Sequence, residues 1–517
     1  MIWGHMMKSK ALPGALLGAA VVALVAVLVL IFLPRSADGT ASAPASVLAY
    51  KSLTEVATAF ADQPGAKYTG SVTAGEMKIN LTDVEVSASG DLQGRIKVGG
   101  ESAEIIGVNG LTYAKGSASF WKSQLEKPKM NYEAVASGWA KLDPATFPNL
   151  GWLLAPPNLA FALSNDEEAV DLESKGQPVG LIDTPDGRFL PAGLPDVIVE
   201  GDNTFVSGGT MRATTGPNKN LTTVKGPITQ TGGERVEVDV SVEPIGPNEI
   251  GRLYDRIDAQ AQTLAHIPAP YLSPNFDASG FRLTVSPCSP PICEYIVTYV
   301  ARTPNATQPG SITVVGDMTL TLNDRPVGGT CTRTVTVPLN GQGETRCPFT
   351  VPNEDGTLKG DVAYVFTAYV DQDPTVLTRA LAANEQISTA EAQGIWTPTG
   401  FKGDLAARDY NLQVTGAPST YTYVVNDEAF DGRAPDGTLL MTFGPGYSAN
   451  IGSNGALDTG WAGTDALVDT ARAQIKAARS TPVRWVFAEQ DAADATAKTL
   501  EDNGVRGIDI VVVPPAE

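Results

Sequence analysis

The stretch that most constrains the fold lies near the C-terminus, where two short apolar segments flank a turn. Residues 430–432 (Phe-Asp-Gly) precede the turn, and residues 439–443 (Leu-Leu-Met-Thr-Phe) follow it. Between them, Pro435 presets φ for a turn and Gly437 tolerates a positive φ. The pattern therefore predicts two adjacent strands, the second of which runs into residues 444–447 (Gly-Pro-Gly-Tyr).

Beyond this stretch the pattern alternates between helices and strands. Amphipathic spacing predicts helices over residues 465–478 and 490–503, and apolar runs predict strands over residues 483–488 and 508–513. A strand–helix–strand–helix–strand order is typical of an α/β layer. We therefore predict an α/β domain over residues 400–517.

The ordered motifs of this domain resemble the restriction-endonuclease-fold toxin family, the fifth class of that group in bacterial polymorphic toxins. The positions that carry the resemblance are Tyr410, Asp431, Gly432, Gly444, Pro445, Gly446, Tyr447, Gln474, Trp485 and Glu489. The resemblance implies a DNase-type fold in which Asp431 is the catalytic, metal-binding acid. It also implies an acid and a lysine on the next strand, at the positions that Met441 and Phe443 occupy here.

Met441 and Phe443 conflict with that chemistry. Mg²⁺ takes oxygen ligands, which a thioether does not offer, and a phenyl ring cannot transfer a proton. The domain has 9 Lys and Arg against 16 Asp and Glu, which disfavours contact with nucleic acid. Our first hypothesis is therefore a degenerate nuclease fold, not an enzyme and without a cofactor, that acts by binding an immunity-type or envelope protein.

Two other interpretations of this site stay open. Asp427, Glu428 or Asp436 could join Asp431 in a rearranged Mg²⁺ site, which would give an active DNase. Alternatively, the Asp431 carboxylate caps the turn beside Gly432 and holds no metal.

An apolar run near the N-terminus predicts a membrane anchor. Residues 11–33 reach roughly the 20 residues that a helix needs to cross a bilayer, and Lys8 and Lys10 precede them. The positive-inside rule then keeps residues 1–10 in the cytoplasm. We predict a single-pass cell-membrane protein in which residues 34–46 form a linker and residues 34–517 are extracytoplasmic. A cleaved signal peptide, with a site at residues 41–43 (Ala-Ser-Ala), is the alternative.

Residues 47–270 carry the pattern of an α+β domain with an antiparallel sheet. Helical spacing over residues 47–62 precedes several alternating strands, and residues 235–242 form the clearest of these. Asn109 and Gly110 lie between two such strands and are a strong two-residue hairpin signal.

Three motifs of this domain resemble the LppX/LprAFG family of mycobacterial lipoproteins. They are residues 120–122 (Phe-Trp-Lys), 138–142 (Gly-Trp-Ala-Lys-Leu) and 153–157 (Leu-Leu-Ala-Pro-Pro). The resemblance implies a curved antiparallel sheet backed by helices, around an apolar cavity that takes lipid chains. The alternative is a closed core, in which the side chains of Trp121, Trp139 and Trp152 are packing residues.

Four cysteines fall within residues 278–395, where short alternating strands separated by turn residues predict a β-sandwich. Cys288 and Cys293 flank one strand connection, and Cys331 and Cys347 lie on strands that could face each other. We predict disulfides 288–293 and 331–347. A zinc site is the rival, but no histidine lies nearby.

The predicted fold class is therefore multidomain. It consists of an N-terminal transmembrane helix, an α+β domain with a curved antiparallel sheet, a disulfide-bearing β-sandwich and a C-terminal α/β restriction-endonuclease-like domain. The chain of 517 residues is long enough for these parts, and its net charge of -20 disfavours nonspecific binding of nucleic acid. Lipid bound to residues 47–270 is the third functional hypothesis.

Overall fold

The computed structural model describes most of the chain after residue 44. The ranges are residues 45–108, 110–125, 127–163, 181–183, 189–191, 197–201, 203–229, 235–276, 281–289, 291–304, 306–389, 394–398, 405–417, 421–434, 437–479 and 481–515. The α-helices in these ranges are α1 (Ala45–Ala61), α2 (Ala118–Leu125), α3 (Tyr132–Val135), α4 (Leu150–Leu154), α5 (Pro156–Ala162), α6 (Pro247–Ala261), α7 (Pro374–Thr389), α8 (Leu405–Thr415), α9 (Gly463–Ala478) and α10 (Gln490–Asp502).

The strands of the first half are β1 (Gly65–Ala74), β2 (Met77–Ser87), β3 (Leu92–Val98), β4 (Glu101–Val108), β5 (Leu111–Gly116), β6 (Ala140–Lys141), β7 (Leu181–Asp183), β8 (Phe189–Pro191), β9 (Val197–Glu200), β10 (Thr204–Ser207), β11 (Met211–Thr215), β12 (Leu221–Thr229), β13 (Arg235–Ile245) and β14 (His266–Pro268). The later strands are β15 (Phe281–Ser289), β16 (Ile292–Val300), β17 (Gly310–Leu322), β18 (Arg325–Pro338), β19 (Gln342–Thr350), β20 (Leu358–Asp371), β21 (Ile395–Pro398), β22 (Tyr421–Val425), β23 (Glu428–Phe430), β24 (Gly432–Arg433), β25 (Leu439–Phe443), β26 (Val483–Phe487) and β27 (Ile508–Val512).

The first region is built on one antiparallel sheet. In the described residues it has eleven strands, in the order β6-β5-β4-β3-β2-β1-β13-β12-β11-β10-β9. Strand β13 shows why the sheet buries one face, because Val236, Val238 and Val240 are buried while the charged residues between them are exposed. Val108 pairs with Leu111 and Gly110 has a φ of 76°, which confirms the predicted hairpin.

The cysteine-bearing region forms two sheets with a shared core. Within the described residues the sheets are β14-β20-β17-β18 and β15-β16-β19. Tyr295 and Tyr299 of β16 are buried in the same apolar cluster as Ile312 and Val314 of β17. The disulfides Cys288–Cys293 and Cys331–Cys347 are both formed, as predicted, and they close sequence separations of 5 and 16 residues.

The apolar core is continuous across the predicted boundary between residues 270 and 278. Tyr113 and Trp139 of the first region belong to the same buried cluster as the sandwich residues. Lys127 Nζ donates hydrogen bonds to the carbonyl oxygens of Pro270 (2.9 Å) and Tyr271 (2.8 Å). Helix α7, which follows the sandwich, packs on α6 of the first region. The two regions therefore share packing over a wide surface.

The C-terminal region contains two small sheets in its described part, β21-β22-β23 and β24-β25-β26-β27. Strands β25, β26 and β27 are parallel, while β24 pairs antiparallel with β25. Helices α9 and α10 bury apolar residues on one face of the second sheet, and Tyr410 of α8 packs on the other face. This arrangement places Asp431 between β23 and β24, next to β25.

The predicted fold class, which began with a transmembrane helix, needs correction. The described residues are mostly β-sheet, and no helix among them is long and apolar enough to cross a membrane. Helix α1 is the longest of these with 17 residues, and it carries charged residues such as Glu55 on its exposed side. The predicted anchor (residues 11–33), its flanking segment (residues 1–10) and residues 34–44 of the linker lie outside the described residues. The last two residues of the linker predicted over residues 34–46 belong to helix α1.

The two disulfides should differ in their contribution to stability. A bridge constrains the unfolded chain more when it closes a longer loop, so the model of loop entropy gives about 3 kcal/mol for Cys331–Cys347 and about 2 kcal/mol for Cys288–Cys293. We expect the double variant Cys331→Ala, Cys347→Ala to unfold at lower urea concentration than Cys288→Ala, Cys293→Ala. Equal midpoints in tryptophan-monitored urea unfolding would contradict this ranking.

Candidate functional site

The carboxylate of Asp431 is held by the neighbouring strand. Its Oδ2 accepts hydrogen bonds from the N–H of Thr442 (2.8 Å) and from Thr442 Oγ1 (3.0 Å). Asn411 of α8 donates from Nδ2 to the same hydroxyl at 3.1 Å. Only 9% of Asp431 is exposed, so little of its carboxylate reaches water. These contacts are those of a carboxylate that fastens β25 to the strand beside it.

Met441 and Phe443 project from β25 to the opposite side from Thr442, because side chains alternate along a strand. Phe443 is 4% exposed and stacks on Phe487 with ring centroids 4.3 Å apart. Met441 packs against the same apolar cluster, under α9 and α10. The three positions that the toxin resemblance would bring to one metal site are therefore divided between two environments.

Gln474 joins three strands to α9 in the middle of the apolar cluster. This side chain is fully buried, and its Nε2 donates to the carbonyl oxygen of Ala429 at 3.0 Å. Its Oε1 accepts from Trp485 Nε1 at 2.8 Å, and its Nε2 also contacts Met441 Sδ at 3.5 Å. Gln474 and Trp485, both predicted motif residues, thus have a structural role in one hydrogen-bond network.

The loop that contains Gly444, Pro445 and Gly446 turns the chain from β25 into a short 3₁₀ turn (Tyr447–Asn450). A Cβ atom on Gly444 would lie 2.9 Å from Cα of Ala407 in α8, so only glycine permits this close approach. Gly446 has a φ of 103°, which also favours glycine.

Two motif side chains hold this loop in place. Tyr447 contacts Phe443 edge to face with ring centroids 5.1 Å apart. Burial raises the pKa of Tyr447, and the negative charge of Asp431 raises it further. Glu489 Oε2 accepts from the N–H of Ser448 at 2.9 Å. Burial alone would raise the pKa of Glu489, but the loop N–H groups and the Ser448 hydroxyl outweigh it and lower the pKa.

The residues around Asp431 do not fit a Mg²⁺ ion. In the part of the chain that the structure describes, no group of three or more His, Cys, Asp or Glu side chains could hold a metal. Asp427 lies in the turn between β22 and β23, Glu428 opens β23, and Asp436 lies outside the described residues. The side chain that contacts the Asp431 carboxylate is the hydroxyl of Thr442, while Met441 and Phe443 offer a thioether and a phenyl ring on the other side of β25, and neither suits a hard cation.

A cavity in the described residues lies between the first and the C-terminal regions. Its volume is about 490 Å³, and Trp152, Phe161, Trp396 and Arg433 are among its lining residues. Asp62 also lines it, where burial raises the pKa of that carboxyl to about 6 against the lowering effect of Arg433. Trp152 is thus half-buried at the cavity, whereas Trp121 and Trp139 are buried packing residues. The lipid site predicted within residues 47–270 stays a prediction.

Thr442 is the residue of this site that the sequence prediction missed. The signal was present, because Thr442 is the one polar residue in the strand Leu439–Phe443. A lone hydroxyl in a buried strand needs a hydrogen-bond partner, and Asp431 lies at the end of the strand segment predicted to pair with it.

Comparisons with known proteins add little to this description. No protein-family model matches the chain, and no curated protein matches it. Among solved structures, a crystal structure described as a "putative beta-galactosidase" from Bacteroides fragilis is 9% identical, with a TM-score of 0.14 over 58% of this chain and 40% of that chain. The chain thus covers less than half the length of that protein, and a similarity this weak carries no argument about fold or activity.

Replacement of Asp431 should lower the stability of the C-terminal region. Asp431→Ala removes two hydrogen bonds to a charged acceptor, which we expect to cost about 2 kcal/mol. Asp431→Asn retains an acceptor oxygen and should lose less than half of that. Calorimetric unfolding of the full chain measures both. A stability that is unchanged or higher in Asp431→Ala would indicate a carboxylate kept for chemistry at a cost in stability.

Removal of Gln474 should have a larger effect than its size suggests. Gln474→Leu leaves the indole N–H of Trp485 buried without a partner, at about 1–3 kcal/mol, and removes the hydrogen bond to the carbonyl of Ala429. Gln490→Leu is the matched control, because Gln490 is exposed and should change stability by less than about 0.5 kcal/mol. Similar melting temperatures for the two variants would argue against the network.

Proposed function

We propose that residues 400–517 act as a binding module on a degenerate restriction-endonuclease-like scaffold, without nuclease activity. The partner in this proposal is a protein, of the immunity type or from the cell envelope. The observation that carries the proposal is the state of Asp431, whose Oδ2 already has two donors from Thr442, in a described part of the chain with no group of three or more His, Cys, Asp or Glu side chains that could hold a metal.

The apolar positions on β25 support the same proposal. Phe443 is enclosed by Phe487, Trp485 and Tyr447, with ring centroids 4.3 Å, 4.9 Å and 5.1 Å away. A water molecule or a phosphate cannot approach a position so enclosed by rings. Without a general base and a metal, hydrolysis loses on the order of 10²-fold to 10⁴-fold for each missing group.

The charge of the region also favours a protein partner over nucleic acid. Residues 400–517 have 16 acidic and 9 basic side chains, and two of the basic ones, Arg484 and Lys498, pair with Asp509 and Asp502. Such a surface repels a phosphate backbone. The two disulfides support a place outside the reducing cytoplasm, since such bonds persist mainly in exported proteins.

A plasmid-nicking assay tests the proposal directly. We expect the full chain, with Mg²⁺ or Mn²⁺, to nick supercoiled plasmid no faster than its Asp431→Ala variant, because neither protein assembles a metal site. Asp431→Asn serves as the control for folding, since it retains the acceptor oxygen for Thr442. Metal-dependent nicking by the natural sequence that Asp431→Ala abolishes would refute a non-catalytic role and restore the active DNase.

A further inference from the structure

Strand β27 is an open edge of the C-terminal sheet. It is the last strand in the order β24-β25-β26-β27, and in the described part of the chain its strand partner is β26. The N–H of Val513 donates to the carbonyl oxygen of Phe487 at 3.0 Å. This hydrogen bond identifies which residues along β27 direct their backbone groups toward β26. The N–H and C=O groups of Ile508, Ile510 and Val512 therefore point away from β26.

The side chains of β27 are those of an interior strand. Ile508, Ile510, Val511 and Val512 are each only partly buried, and Asp509 is the one charged residue. Natural sheets protect open edges with charged or polar side chains, because an apolar edge pairs with other chains. Strand β18 illustrates that protection, since its exposed positions include residues 332–334 (Thr-Arg-Thr). On β27, Asp509 is the one side chain of that kind.

A groove runs beside this edge on the side of α10. Its volume is about 190 Å³, and Ala497, Leu500, Val505, Ile508 and Ile510 supply its apolar walls, while Glu501 and Arg506 line it as well. Side chains of an added strand would project into this groove at every second position. The opposite side of the strand carries Asp509, whose side chain is 53% exposed although it pairs with Arg484.

We propose that β27 is the surface through which this protein binds its partner, by addition of one extended strand from a basic protein. The added strand has apolar residues toward the groove and Lys or Arg toward Asp509. Strand addition satisfies the outward backbone groups, and the groove selects the alternate side chains. The proposal deepens the proposed function, on which it rests, because it names the surface of the binding module.

The net charge decides between a foreign partner and a second copy of this chain. Two copies would bring together two molecules with a net charge of -20 each, and both would present Asp509 at the edge. A basic partner is instead attracted over a long range and arrives at a higher rate. The open edge therefore fits a cationic strand better than its own copy.

A pair of synthetic hairpins tests strand addition without any change to the protein. The probe is a cyclic β-hairpin whose outer strand reads Lys-Val-Lys-Val-Lys-Val-Lys, and its twin is N-methylated at the outward amides of that strand. We expect the first hairpin to bind the full chain in calorimetry and to protect the amides of Ile508, Ile510 and Val512 from hydrogen exchange. The affinity of the twin should be lower by a factor of about ten or more, because the twin cannot form the backbone hydrogen bonds to β27.

Two variants locate the site. Ile510→Lys places a charge in the groove wall and should abolish binding of the hairpin, whereas Ile292→Lys, at an Ile that is 58% exposed on another sheet, should not. No binding of the first hairpin, equal binding of the two hairpins, or full binding to Ile510→Lys would each overturn the proposal.

Sedimentation equilibrium and the nicking assay separate the remaining outcomes. The full chain alone should be a monomer, and a dimer that Ile510→Lys dissociates would assign the edge to a second copy and overturn the basic partner. Absence of nicking together with absence of hairpin binding would refute the docking surface and leave the non-catalytic role in place. Nicking that depends on Asp431 would refute the non-catalytic role, whatever the hairpins do.

Discussion

The arrangement of strands in the C-terminal region depends on the hydrogen bonds from Thr442 to the Asp431 carboxylate. They fix the crossing between β23 and β25, and Asn411 extends them to helix α8. A cation on Oδ2 would have to compete with the two donors of Thr442. The observed contacts of Asp431 are therefore those of a residue that stabilises the packing of β25.

On the other face of β25, the packing around Met441 and Phe443 also disfavours a metal site. A lysine at the position of Phe443 would have to leave the apolar cluster or remain among its aromatic rings, and an unpaired buried charge costs several kcal/mol. The aromatic rings around Phe443 occupy the volume that a hydrated ion would need. Apolar residues at Met441 and Phe443 stabilise the cluster, whereas a metal site would need polar residues there, and this sequence has the apolar ones.

Local sequence patterns predicted individual helices and strands better than the tertiary contacts between them. The helix expected over residues 465–478 is observed as Gly463–Ala478, and the pair Cys288–Cys293 is formed, because these signals depend on neighbours in sequence; the pair Cys331–Cys347 is also formed, and four cysteines allow only three pairings. The contact of Thr442 with Asp431 spans 11 residues and depends on which face of β25 meets α8, which periodicity does not specify. The core shared by Tyr113 and Tyr295 depends on tertiary packing alone.

The motif residues that remain are those with a role in the fold. Gly444 permits the approach of α8, Gln474 and Trp485 share a buried hydrogen bond, and Glu489 holds the loop after β25. The positions that depart from the resembled pattern are those whose role would be chemical. A scaffold that retains the first set and lacks the second is the kind that the proposed binding module requires. In such a scaffold an apolar open edge like β27 would be a liability if it did not serve for binding.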